Sequence, residues 1–217
     1  MRKFFTDRTP PDVAATYDQL APDWLDRWSK LESRLVSDGW RNEYVRHLQG
    51  DVLEIGTAAG DTLLRMQSQS HDASSFTGID ISDGMLAESH RAAAGIDMPV
   101  SLHRASAEQM PMLQDASFDT VAASLVFCTI PDVRAALAEI TRVLKPGGRL
   151  VLVEHVLAPN PVVAWLQRLL APVQIRQMGC HLDRKTVDMV RDHGFQVEME
   201  RKRILGIFRF IVARSPH

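Results

Sequence analysis

Between residues 51 and 156 short apolar runs alternate with amphipathic helical stretches, and this alternation constrains the fold more than any other feature. "DVLEIG" (51–56), "SFTGIDI" (75–81), "PVSLHRA" (99–105), "FDTVAASLVF" (118–127) and "RLVLVEHV" (149–156) read as strands. Between them lie the helical stretches "DTLLRMQSQ", "GMLAESHRAAA" and "PDVRAALAEITRVL". The last places Val133, Leu137, Ile140 and Leu144 at helical spacing, with Asp132 as N-cap and "KPGG" as the stop. Strands joined through helices pair in parallel and carry helices on both faces, because a parallel crossover needs a long connection. The C-terminal end departs from this. "KTVDMVRDH" is a helix stopped by Gly194. "FQVEMERKRIL" and "FRFIVAR" are joined by one loop around Gly206, which makes them an antiparallel hairpin on the sheet edge. The predicted fold is α/β, a seven-stranded mostly parallel sheet.

Two stretches stand outside the alternation: the helical N-terminal 1–48 and the segment 159–184. Ligands of open parallel sheets sit beyond the carboxyl ends of the strands, where both stretches could act as lids. Peripheral packing is the other reading. The 217 residues are 45% hydrophobic, enough for one core, so 1–217 is read as a single domain. A net charge of -2 gives no general attraction to nucleic acid or anionic membrane. No apolar run approaches the ~20 residues of a membrane span, and "MRKFFTDRTPPD" lacks the apolar core of a secretory signal. The expectation is a cytoplasmic protein without nucleic-acid partner or stable membrane insertion. Cys128 and Cys180 lie far apart without a CxxC pattern, so reduced thiols and no metal are expected.

"DVLEIGTAAG" runs from a strand through a glycine loop into a helix. That is the form of a nucleotide-binding corner, since glycine admits a ligand close to the backbone. With the motifs that follow it, the chain resembles the class I methyltransferases that use S-adenosylmethionine, from about Tyr17 to its end. The resemblance implies a Rossmann-like fold and that cofactor. It places the loop of Glu54, Gly56, Thr57, Ala58 and Gly60 around the methionine part, Asp80 with Ile81 at the ribose, and Met85 on the adenine face. "ASAEQMP" supplies Ser106, Ala107 and Glu108, with Ser106 where the family commonly has an Asp for the adenine amino group. "FDTVAASLVF" contributes Ser124 and Leu125, "EITRVLKPGGRLVLVE" completes the set, and "TYDQLAPDW" brings Tyr17 over the cofactor as in ubiquinone and menaquinone biosynthesis methyltransferases. The family usually has Gly-x-Gly-x-Gly, whereas this loop reads Gly56-Thr57-Ala58-Ala59-Gly60. An alanine resists positive φ, so a negative φ at Ala58 would spare binding and a positive one would weaken it.

On the acceptor side, "LVFCTIPD", "LVEHV", a Trp-Leu-Gln segment and "GCHLDRKT" resemble the thiol methyltransferases of animals and their bacterial relatives. The implied substrate is a small hydrophobic thiol. Whatever the acceptor, it is expected to enter near the ends of the fourth and fifth strands, close to Cys128, Glu154 and His155 and to Trp24, Trp28 or Trp165 from the lids; His155 is the candidate base, needed for an alcohol or phenol and little needed for a thiol. A phenol or quinone, a phospholipid amine, and a module that binds S-adenosylmethionine without turnover remain alternatives. The apolar 162–173 segment could line the pocket or touch a membrane surface peripherally. Oligomeric state is not legible.

Overall fold

The computed structural model describes residues 10–216, without the side chains of 31–33, so the first nine residues of the expected lid lie outside the described residues. Seven strands form one sheet in the order β3-β2-β1-β4-β5-β7-β6. They are β1 (Gln49–Ile55), β2 (Asp72–Asp80), β3 (Val100–Arg104), β4 (Phe118–Ser124), β5 (Leu144–His155), β6 (Gln196–Arg203) and β7 (Phe208–Arg214). β1 pairs in parallel with β2 and β4, as do β2 with β3 and β4 with β5. β7 runs antiparallel to both β5 and β6. The predicted mostly parallel sheet with its antiparallel C-terminal hairpin is the observed one. Chain order reverses between β1 and β4, so a crevice opens beyond their carboxyl ends.

Helices cover both faces because both strand parities are apolar. Leu53, Ile55, Val121, Ala123, Leu150 and Leu152 face one layer, packed against α6 (Val133–Val143) and α8 (Thr186–Asp192). Val52, Phe76, Ala122, Val151, Val153 and Phe210 face the other, with α3 (Asp38–Arg46), α4 (Asp61–Met66) and α5 (Asp83–Ala93). Tyr44 and Val45 of α3 are buried in this core, so the C-terminal part of the expected 1–48 lid is a structural layer of the sheet. Asp132 caps α6 as read from the sequence, accepting from the amides of Arg134 and Ala135.

The lid proper begins with α1 (Val13–Leu20). It continues through a 3-10 turn (Ala21–Asp23), where Pro22 supplies no N–H, and a π turn (Trp24–Trp28) into α2 (Ser29–Val36). Asp18 anchors α1 to the start of α5, accepting from Ser82 Oγ at 2.6 Å and the Gly84 amide at 2.9 Å. These bonds hold the Asp18 carboxyl below its ordinary range. Gly84 permits the approach, since a Cβ there would meet Ala21 Cβ and the Asp18 backbone at 3.1–3.2 Å.

The 159–184 insertion is one helix, α7 (Pro161–Met178), capped by Asn160 and ended by Gly179 at φ 71. Its buried Gln167 accepts from the Ala158 amide at 2.8 Å and donates to the carbonyls of Val156 and Leu182 at 2.9 and 3.0 Å. One side chain thus joins α7 to the exit of β5 and to the turn after α7. That turn is tied in its own right to the loop after β4: the His181 amide donates to Cys128 O at 2.9 Å, and Arg184 donates to the carbonyls of Phe127 and Ile130. Gln167→Ala strands three backbone groups, each costing about 1–3 kcal/mol when buried unpaired. Urea unfolding of this variant is expected to show a loss of roughly 2–5 kcal/mol with the m value unchanged. A loss under about 1 kcal/mol would mean that water replaces the side chain at no cost.

Candidate cofactor-binding site

The carboxyl ends of β1, β2 and β4 border a cavity of about 290 Å3. The β1–α4 loop enters it through alternate left-handed residues, Gly56 at φ 66, Ala58 at φ 47 and Gly60 at φ 82. This alternation is the physical content of a Gly-x-Gly-x-Gly pattern, and Ala58 occupies its middle position with a side chain present. A negative φ at Ala58 is not what forms; the left-handed backbone is kept at a steric cost of roughly 1–2 kcal/mol. Two bonds impose it. The Ala58 amide donates to Asp80 Oδ2 at 2.9 Å, and its carbonyl accepts from Ser89 Oγ at 3.1 Å. Gly56 admits no Cβ because Val126 already occupies that space.

Asp80, at the end of β2, lines the cavity. Its Oδ1 accepts from the Ser82 amide at 3.0 Å. Burial pushes its carboxyl above the ordinary value, resisted by the amides of Ser82, Ala58 and Ile81. Strand parity turns Glu54 of β1 toward α3 and α4, where its Oε1 accepts from Tyr44 Oη at 2.9 Å and Thr62 Oγ1 at 2.6 Å. Its second oxygen, Oε2, meets no donor with good geometry among the described residues. Burial raises the Glu54 carboxyl to about 7, against the bonds from Thr62, Tyr44 and Thr57. At the α3–α4 end, Asp61 accepts from Arg41 at 2.6 Å and Arg65 at 2.9 Å. Burial opposes ionisation of Asp61, and the two guanidiniums outweigh it.

Tyr17 and Trp24 of the lid also line the cavity, their rings tilted together with centroids 5.6 Å apart. Of the sequence-predicted cofactor residues, Thr57, Ile81, Ser106, Ala107, Glu108, Ser124 and Leu125 line it as well. Ser106 is engaged with Glu108, donating to its Oε2 at 3.0 Å and accepting from its amide at 3.2 Å. Gly60 and Met85 do not reach the cavity wall. Gly60 is the N-cap of α4, and Met85 is fully buried against Trp24 and Ala59, because α5 turns it under the lid. Among the acceptor-side residues only Trp24 is in the lining. Trp165 is 63% exposed on α7 and Trp28 packs within the lid. Cys128 is buried within the loop after β4, away from the cavity lining, and His155 sits beside Cys180. The sequence reading missed Arg41, Tyr44 and Arg65. The signal for two of them was available, since Arg41 and Tyr44 are three apart on the helix that packs over Glu54.

A wider groove of about 820 Å3 adjoins the cavity, sharing Val13, Ile81, Ala105, Ser106, Thr129 and Pro131 with it and continuing to Gly179 and His181. The pair forms an inner chamber with an outer approach beneath α1.

Residues 53–152 match the Methyltransferase domain family. A ubiquinone/menaquinone biosynthesis C-methyltransferase, UbiE, of Syntrophotalea carbinolica is 32% identical over 74% of this chain and 68% of its own length. The chain belongs to the S-adenosylmethionine-dependent methyltransferase family. A UbiE of Geobacter sulfurreducens is 32% identical over 66% of the chain and 55% of its own length. The thiol S-methyltransferase TMT1B of Rattus norvegicus is 42% identical over 43% of the chain and 39% of its own length. The match thus spans little more than half of the Geobacter relative and well under half of the rat one. Two solved structures share the fold at about one-fifth identity. An S-adenosylmethionine-dependent methyltransferase from Mesorhizobium loti is 20% identical (TM-score 0.63, 82% of this chain, 97% of that one). The cyclase SpnF is 19% identical (TM-score 0.73, 97% of each chain).

The residues of this methyltransferase fit the family's cofactor. Asp80 offers a carboxylate on the cavity wall, and ionised oxygens accept hydroxyl donors such as those of a ribose strongly. Glu54 also lines the cavity, and its buried Oε2 has no hydrogen-bond partner of good geometry among the described residues, which suits a cationic amino group.

Replacing Ala58 with glycine relieves the left-handed strain of roughly 1–2 kcal/mol and adds about 0.4–1 kcal/mol of unfolded-state entropy. Ala58→Gly is therefore expected to unfold at equal or slightly higher urea concentration than the wild type. Ala58→Val, β-branched at the same φ, is expected to lose at least about 2 kcal/mol. A glycine variant clearly less stable than wild type would show the methyl group to be a fitted contact.

Proposed function

We propose that this chain catalyses methyl transfer from S-adenosylmethionine to a small molecule, and that the acceptor is a small hydrophobic thiol. The observation that carries the first part is the cavity at the strand ends, whose lining includes Asp80 and Glu54, the latter with a buried Oε2 that has no hydrogen-bond partner among the described residues. Asp80 would hold the ribose hydroxyls, Glu54 the amino group, and Ser106 the adenine edge, with Tyr17 and Trp24 closing over them. When bound, S-adenosylmethionine supplies a methyl carbon made electrophilic by its sulfonium. The chain's own work is to orient the two partners and keep water out, which the lid of α1 and its π turn is placed to do.

Two observations favour a thiol. The inner cavity wall carries carboxylates, arginines and tyrosines but no histidine among the described residues. A thiol ionises near neutrality and needs no strong base, unlike an alcohol. The rat relative acts on thiols by name, and the features that resemble its family meet at one place: the 179–184 turn is hydrogen-bonded to the loop carrying Cys128. A second reading, C-methylation of a quinone-type ring, is favoured by the bacterial UbiE relatives, whose matches extend over up to 74% of the chain.

Cofactor binding is tested by calorimetric titration with S-adenosylhomocysteine across a pH series. Glu54 carries a proton below about 7 in the free protein, whereas a bound ammonium favours the carboxylate, so affinity rises with pH and levels off above 7. The expected gain from pH 6 to 8 is about ten-fold, abolished in Glu54→Gln, while Asp80→Ala weakens binding at least ten-fold at every pH. A flat wild-type profile would overturn the role given to Glu54, and an unaltered Asp80→Ala would overturn that of Asp80.

The acceptor is tested by mass spectrometry of products from a panel of thiols, phenols, quinols and amines. A thioether product is expected, with initial rates rising through the acceptor's own thiol pKa, near ~8.5 when unperturbed. A ring-methylated product with no thioether would replace the thiol reading by the quinone one. No S-adenosylhomocysteine formed with any acceptor would defeat both.

A further inference from the structure

Three side chains expected to be independent converge outside the cavity. Cys128 from the loop after β4, His155 at the end of β5 and Cys180 from the turn after α7 each bring a donor atom within 4.8 Å of the other two. His155 Nε2 and Cys180 Sγ are 3.1 Å apart. Cys128 is 3% exposed, while His155 and Cys180 remain partly accessible. We propose that Cys128, His155 and Cys180 bind one thiophilic divalent cation of the zinc class.

Distance decides first. Zinc holds thiolate sulfur at about 2.3 Å and imidazole nitrogen at about 2.0–2.1 Å, so a tetrahedral site needs its donors roughly 3.5–3.8 Å apart. All three donors lie within 4.8 Å of one another, and the sulfur–nitrogen pair at 3.1 Å has to open by only a few tenths of an ångström. Donor type decides second. Two thiolates and an imidazole suit zinc, cobalt or cadmium and disfavour magnesium and calcium, which take oxygen. Charge decides third. The dication displaces two protons to solvent, one from Cys128 and one from the hydrogen-bonded Cys180–His155 pair, and M2+ with two thiolates and a neutral imidazole is neutral, so no net charge is left next to the buried Cys128. The fourth position falls to water on the accessible side of His155 and Cys180.

The backbone around the cluster is already fixed. The His181 amide donates to Cys128 O at 2.9 Å, Arg184 bonds the carbonyls of Phe127 and Ile130, and the Leu157 amide donates to Arg184 O at 2.9 Å. The three donors are therefore held by a framework that does not depend on the ion. A disulfide between the two cysteines would leave the imidazole without a part and would need an added oxidant; a metal uses all three groups. The inference does not rest on the methyl-transfer reading, because none of the three side chains lines the inner cavity.

The test is a titration of the full chain with Co2+, metal-free and reduced with a phosphine under argon. One equivalent is expected to produce visible bands of tetrahedral cobalt and a near-ultraviolet thiolate-to-cobalt charge-transfer band, both bleached by Zn2+. Zinc is also expected to raise Tm. Cys180→Ser, at a partly accessible position and checked for folding by circular dichroism, should weaken cobalt binding at least ten-fold and diminish the charge-transfer band; His155→Ala should shift the visible bands. Wild-type protein that shows no charge-transfer band at millimolar cobalt overturns the proposal, whatever the variants do. A folded Cys180→Ser that titrates like wild type overturns it equally. Neither result bears on S-adenosylhomocysteine binding, so the two proposals fail separately.

Discussion

Asp80 braces the structure around the cavity. One of its carboxylate oxygens holds the Ala58 amide and the other the Ser82 amide. The first bond fixes the left-handed turn of the β1–α4 loop. The second fixes Ser82, whose hydroxyl donates to Asp18 and also caps α5 at the Met85 amide. Loop, helix α5 and lid therefore share one acid at the end of β2. Tyr17 and Trp24 reach the cavity because Asp18, one residue from Tyr17, is held in this chain of bonds.

The strands were legible because a buried parallel sheet writes itself as continuous apolar runs. Where boundaries differ, local conformation overrode hydrophobicity. "FDTVAASLVF" is apolar throughout, yet β4 stops at Ser124 because Leu125 turns left-handed at φ 57, and Val126 and Phe127 then give their amides to Glu154 Oε1. "KPGG" ends α6 as read, but the same residues lie within β5, which starts at Leu144 opposite Phe118 with a register shift. β2 begins earlier than its apolar core, since "DASS" is half-exposed edge and carries no hydrophobic signal.

In the site, most residues on the family motifs line the cavity because one short segment carries each motif, while Gly60 and Met85 are turned away from it. The Arg41–Asp61–Arg65 network and the Cys128–His155–Cys180 cluster were not legible in the sequence. Each unites side chains from separate elements, and spacing along the chain says nothing of such meetings. The expectation of no metal rested on that spacing alone, which is why the convergence of two thiols and an imidazole was invisible to it.

Two glutamates, Glu54 on β1 and Glu154 on β5, are wholly buried, and burial raises each carboxyl to about 7. A raised carboxyl favours the folded state most below its unfolded value of about 4.3 and loses that contribution as pH rises toward 7. The fold thus gives up stability at neutral pH to keep two acids at the strand ends, one holding the β4 loop and one facing the cavity.

The wall common to the inner cavity and the outer groove has a consequence for binding. Ile81, Ser106, Thr129 and Pro131 belong to both spaces, so an occupant of the inner chamber becomes part of the floor of the outer one. Each ligand's affinity then contains a coupling free energy with the other, identical in both directions by thermodynamic necessity.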